Sequence, residues 1–266
     1  MNFKLSVFIN AFRIQYMENK EIVRTPKYKF YSALMFLCIY LIIVALPYNK
    51  FLNDDWPNLI ITIGKLVLST VMLLMFKREG FTFEHVDLKR IVLFVPLLLL
   101  CGSNLIFLGI NKADIATSPD YSTLINSACF CLATALSEEI IFRGMACEVI
   151  KSKYNKPLTL LISAAVFGVV HFIAGVFSNP LGALIQMGYT LYLGLVVGLT
   201  YLYGGSIYAS VFIHFVFNFL NDSLFQILYE GNWNTTFYIV NISVGVVVAV
   251  YGLLLFFLFE KKNRQD

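Results

Sequence analysis

Residues 134–145 read TALSEEIIFRGM, and the fold turns on how this stretch is read. Two adjacent carboxylates, Glu138 and Glu139, and a guanidinium, Arg143, interrupt an otherwise apolar run that opens with FCLA at 130–133. Charge inside a hydrocarbon layer is costly, so three charges in one span require partners there. The surrounding chain places the stretch in a membrane. Of its 266 residues, 59% are apolar and 14% charged, whereas a soluble domain carries roughly 25% charged and 45–50% apolar residues.

A membrane helix takes roughly 20 predominantly apolar residues. Eight stretches qualify: 30–47, 58–76, 91–110, 122–150, 157–177, 181–203, 205–229 and 235–259. The expected fold class is therefore all-α, a polytopic membrane bundle of about eight transmembrane helices. The fourth stretch is long for one span, so its cytoplasmic end is expected to emerge or tilt. The second holds Lys65, which counts against a span there, though a lysine can face the bundle interior. Residues 1–29 form a basic, partly amphipathic segment suited to the inner membrane surface. No long polar linker divides the chain. We read one continuous membrane domain, with the basic segment and three spans in 1–120 and a five-span bundle in 121–266.

Lysine and arginine sort by loop. With the N-terminus inside, sixteen of the twenty fall on the cytoplasmic side, and only Lys50 and Lys112 fall outside. Basic residues concentrate on the cytoplasmic face of membrane proteins, so a multi-pass cell-membrane protein with both termini cytoplasmic is expected. The same sorting explains the net charge of +4 without nucleic acid, which is not an expected partner. Membrane lipid is. Five cysteines, all in or beside apolar runs and without paired loop spacing, read as small buried hydrophobes rather than a disulfide or zinc framework. Gly194 and Gly198 form a GxxxG step for close helix contact, and YGGS at 203–206 a tight turn.

The three histidines are His85, in a charged loop and read as a solvated bystander, and His171 and His214, inside the fifth and seventh spans. At 1.5 Å of rise per residue, Glu138 lies about 18 Å, His171 about 21 Å and His214 about 14 Å from the cytoplasmic end of its span. One carboxylate and two imidazoles from separate spans thus reach one level. Within spans, Glu139 and Arg143 are spaced i,i+4 and share a face, an ion pair ready to form. Glu138 points roughly 140° away from Arg143, which leaves it as the free carboxylate. His214 and Asn218 share a face at the same spacing, as do His171 and Phe167, a wall residue. A carboxylate in a low-dielectric pocket can serve as general base. An imidazole can hold the same water or shuttle its proton, and a second imidazole with an amide can stabilise an oxyanion.

At these residues the chain resembles the CPBP family of intramembrane proteases, the CAAX-protease and bacteriocin-processing group also called Abi. The family pattern EExxxR, FxxxH and HxxxN or HxxxD on successive spans reads here EEIIFR (138–143), FGVVH (167–171) and HFVFN (214–218). The resemblance covers about 121–221. It implies a bundle open to the cytoplasm that cleaves peptide bonds in or beside the membrane. Glu138 would be the water-activating base partnered by His171, and His214 with Asn218 the oxyanion-stabilising pair. Glu139 and Arg143 would be supports. The substrate would be a peptide or membrane protein.

Metal dependence stays open at this level. Glu138, His171 and His214 could supply three ligands with an open fourth position, as catalytic zinc sites do. No HExxH helix is present, and a glutamate-activated water needs no ion. The residue usage, rich in Phe, Ile, Asn, Lys and Tyr, suggests an AT-rich coding genome. It favours a bacterial setting of peptide or bacteriocin maturation, or self-immunity. The competing functions are a non-catalytic scaffold or immunity protein that keeps the protease fold, and a proton or ion transporter. A transporter would string polar groups along both halves of a path, whereas here they gather at one depth.

Overall fold

The computed structural model describes residues 25–46, 56–76, 78–79, 81, 88–112, 115–118, 121–231 and 234–263. The basic segment up to residue 24, His85 and Lys50 lie outside the described residues. Eight helices are long and apolar enough to cross a membrane, and no strand occurs among the described residues. The all-α, multi-pass expectation holds. The helices are α1 (Pro26–Ala45), α2 (Trp56–Phe76), α3 (Lys89–Ile110), α4 (Leu124–Lys151), α5 (Lys156–Gly175), α6 (Pro180–Gly204), α7 (Ile207–Leu228) and α8 (Thr235–Asn263).

Local sequence sets half of the helix starts. Thr25, Asn155, Asn179 and Ser206 each accept a hydrogen bond from the backbone N–H three residues on, at the N-termini of α1, α5, α6 and α7. Such caps satisfy donors that a helix leaves orphaned. Proline follows three of these caps in the first turn, where its missing N–H is harmless. The expected tight turn after α6 is made by Gly205, whose φ of 72° is left-handed, a conformation that glycine adopts without strain.

Three spans depart from regular helix. In α3, Pro96 sits in a 3-10 stretch, Val92–Gly102, before the α-helix resumes at Ser103. Asn221 of α7 closes the backbone there. Its side-chain oxygen accepts from the Asn104 N–H, its amide donates to the Leu100 carbonyl, and its own carbonyl accepts from the Asn104 side chain. In α4 and α7, π-helical turns run over Ile140–Ala146 and Phe219–Leu224. The fourth span carries this widened turn past its middle and continues to Lys151.

Lipid does not drive helices together by hydrophobicity, so close packing carries the association. The GxxxG expectation is met between α5 and α6. A Cβ on Gly194 would stand 3.2 Å from the Ala164 Cα and 3.3 Å from the Phe167 ring, and one on Gly198 2.8 Å from Leu160. Facing them, a Cβ on Gly168 would stand 3.0 Å from the Met187 carbonyl. Two apolar clusters result. One joins α3, α6, α7 and α8. The other joins α1, α2 and the π turn of α4 to Phe167. The cysteine expectation needs correction at two positions. Cys101, Cys131 and Cys147 are buried, but Cys38 and Cys129 are exposed on the bundle exterior, where a thiol is apolar enough to face lipid.

Candidate active site

Glu138 and Glu139 end the regular part of α4, and Arg143 lies in the π turn that follows. Such turns recur at functional sites because the extra residue re-aims the side chains around it. All three charged groups are buried, Glu139 and Arg143 completely. The expected ion pair forms, with Arg143 Nε 3.2 Å from Glu139 Oε2. Arg143 also donates to the Gly194 carbonyl at 3.2 Å and lies 4.6 Å over the Phe167 ring. One side chain thus links α4, α5 and α6.

The two imidazoles meet Glu138 as the depth estimate required. His171 Nε2 and His214 Nε2 each lie 3.7 Å from Glu138 Oε2. Both rings are held from behind. His171 Nδ1 is 2.8 Å from the Phe167 carbonyl and His214 Nδ1 is 2.8 Å from Glu139 Oε1. A carbonyl only accepts, so Nδ1 of His171 carries a proton, and the neutral form of the ring presents a lone pair at Nε2. Phe167 walls the site as expected, packing edge-on against His171 at 4.5 Å and His214 at 5.8 Å. His171 is 18% exposed while the Glu138 and His214 side chains are 3% exposed, so the His171 flank is the open one. Asn218, one turn beyond His214, is half-buried and has no hydrogen-bond partner among the described residues.

Two features went beyond the sequence reading. Glu139 does more than hold Arg143, because its second oxygen fixes His214. Glu138, expected free, is free of Arg143 but not of everything: the buried Tyr40 hydroxyl of α1 donates to its Oε1. Of its two oxygens, Oε2 has no hydrogen-bond partner among the described residues. Close by, Lys65 of α2 does face the interior, donating to Thr134 Oγ1 at 2.7 Å and lying 4.4 Å over the Phe130 ring. Lys65 could have been suspected from sequence, as a charge within a span. Tyr40, one of fifteen tyrosines, gave no signal. With Lys65 and Arg143 against Glu138 and Glu139, the buried fixed charges of the site balance, which removes much of the penalty for holding them in a low-dielectric interior.

As a zinc ligand set the same side chains do not fit. The donor chemistry is suitable, with each ring held through Nδ1 and presenting Nε2. However, no three His, Cys, Asp or Glu among the described residues are arranged to hold a metal ion.

Comparison with known proteins agrees with the motif reading. The family model of the type II CAAX prenyl endopeptidases, Rce1-like, matches residues 120–220. That stretch contains all three motifs and excludes Tyr40 and Lys65. No curated protein and no solved structure matched the chain. Residues 120–220, less than half of the chain, carry the paired glutamates, both intramembrane histidines and Asn218, and over that stretch the chain is similar to the type II CAAX prenyl endopeptidases.

Proposed function

We propose that the protein is an endopeptidase that hydrolyses peptide bonds of membrane-associated peptides or proteins, with Glu138 as the base that activates water. One observation carries this reading. Glu138 Oε2, buried and without a hydrogen-bond partner among the described residues, faces the Nε2 atoms of two histidines at 3.7 Å each. That separation is too long for a direct hydrogen bond, and between His171 and the carboxylate both atoms are acceptors. A water molecule bridging the two from the His171 flank would donate to both.

The chemistry follows from that arrangement. Water oxygen attacks the peptide carbonyl carbon while Glu138 Oε2 takes a water proton and His171 Nε2 aligns the other. The carbonyl oxygen becomes an oxyanion. The unpaired Asn218 amide and His214, when Nε2 is protonated, are the donors available to it. Glu138 then passes its proton to the amide nitrogen, the C–N bond breaks, and an amine and a carboxylic acid leave. Every step uses groups of this chain and water. Glu139 and Arg143 hold His214 and Phe167 in place for it.

The position of the site at mid-depth in its spans supports substrates delivered from the bilayer. The basic-residue asymmetry supports cytoplasmic termini in a cell membrane. The test is purified protein in lipid nanodiscs with a membrane-tethered peptide. Glu138→Gln keeps shape and the Tyr40 bond and should lower the rate by about 10²–10⁴; cleavage at the parental rate would refute the role. Small peptides released by cells carrying the parental or the Glu138→Gln chain would show whether the setting is peptide maturation.

A further inference from the structure

We propose that the first two spans complete the site, with Tyr40 selecting which oxygen of Glu138 works as the base and Lys65 balancing that carboxylate's charge. This rests on the endopeptidase reading above and adds residues that lie outside the matched stretch 120–220.

The two oxygens of a carboxylate are equivalent until a neighbour distinguishes them. Here the neighbour is Tyr40, whose hydroxyl donates to Oε1 from a ring that is 5% exposed. With Oε1 engaged, the terminal torsion of Glu138 cannot turn over without breaking that bond. This torsion is otherwise broad and two-fold. Oε2 is thereby kept towards the His171 and His214 Nε2 atoms. Tyr40 is a positioning residue, since it acts on the base and not on the substrate.

Lys65 takes the same face of α4. Phe130, Thr134 and Glu138 are spaced i,i+4,i+8, which stacks them on one face. The Lys65 ammonium contacts the first two, at 4.4 Å over the Phe130 ring and 2.7 Å from Thr134 Oγ1. It also lies 5.7 Å from the centroid of the Tyr40 ring. An ammonium that is 3% exposed and reaches inward to this face does not snorkel to an interface, the usual course for lysine in a span. α1 and α2 are thus tied to the chemistry, not only to the lipid.

Tyr40→Phe removes one oxygen and keeps the ring in its cluster with Phe36 and Phe142. In nanodiscs with the tethered peptide, we expect kcat to fall by about 10–100-fold with KM within about twofold. The thermal unfolding midpoint should stay close to parental. Lys65→Met should also lower kcat. Adding Tyr40→Phe to Glu138→Gln should change the residual rate no further, because there is then no base to position. Parental kcat in Tyr40→Phe, or the same proportional loss in the Glu138→Gln background, overturns the inference. Should Tyr40→Phe not fold, 3-fluorotyrosine at position 40 keeps ring and donor and changes the donor strength. Its kcat must then differ from parental, and an unchanged kcat overturns the inference. Inactive Glu138→Gln beside fully active Tyr40→Phe sinks this inference alone, whereas active Glu138→Gln sinks the endopeptidase reading with it.

Discussion

Replacing Arg143 with methionine separates support from chemistry, because Arg143 touches no group assigned to the reaction. Its side chain is fully buried, 3.2 Å from Glu139, 3.2 Å from the Gly194 carbonyl and 4.6 Å over Phe167. Arg143→Met leaves the buried Glu139 carboxyl with His214 as its remaining polar contact among the described residues. Breaking a buried pair from one side costs about 3–5 kcal/mol. Gly194 keeps its place in the α6 ladder, so the loss of its second donor adds little. We expect about 4 kcal/mol, close to a thousandfold in the folding equilibrium. Glu139→Gln should cost about as much, because it strands the guanidinium. The double variant Glu139→Gln/Arg143→Met removes both charges and should cost only about 1–2 kcal/mol. SDS titration of the purified proteins in mixed micelles measures all four corners of this cycle. A single-variant loss under about 1 kcal/mol, or a double loss equal to the sum of the singles, would refute a coupled buried pair.

Three other outcomes follow from packing and polar closure. Gly194→Ala meets the Ala164 backbone and the Phe167 ring, which walls both histidines, whereas Gly198→Ala meets only the flexible end of Leu160. The first should cost about 1–3 kcal/mol and lower kcat, and the second should retain kcat in the same nanodisc assay. Asn221→Leu strands the Asn104 N–H and the Leu100 carbonyl at the 3-10 junction of α3. It should destabilise by about 2–4 kcal/mol in the SDS titration while the folded fraction keeps its activity. Dialysis against a strong zinc chelator should leave cleavage unchanged if the proposed steps, which use only side chains and water, are those followed; activity lost to chelator and restored by zinc would replace that mechanism.

The parts of this fold that composition controls were readable in advance. Eight apolar runs give eight helices, and a rise of 1.5 Å per residue was enough to predict that Glu138, His171 and His214 share a level. The i,i+4 rule found the Glu139–Arg143 pair even though Arg143 lies in a π turn. What stayed hidden depends on which helices become neighbours. Tyr40 and Glu138 are 98 positions apart, and Asn221 and Leu100 are 121 apart. No periodicity within one span encodes such encounters. The second bond of Glu139 was missed for the same reason, because the spacing rule compares residues within a helix and His214 arrives from another.

The balance of two buried cations against two buried anions also bears on how the chain is made. Lys65 and the span that neutralises it are 69 positions apart as measured at Thr134, so the ammonium is synthesised well before any acid that can meet it. A lone lysine at mid-bilayer carries a penalty of about 2.5–3.5 kcal/mol. The second span is therefore a poor lipid resident until the fourth follows it. Biogenesis of this protein should then be a matter of deferred release, with the early segments kept in a hydrated insertion channel until their acidic counterpart has emerged from the ribosome.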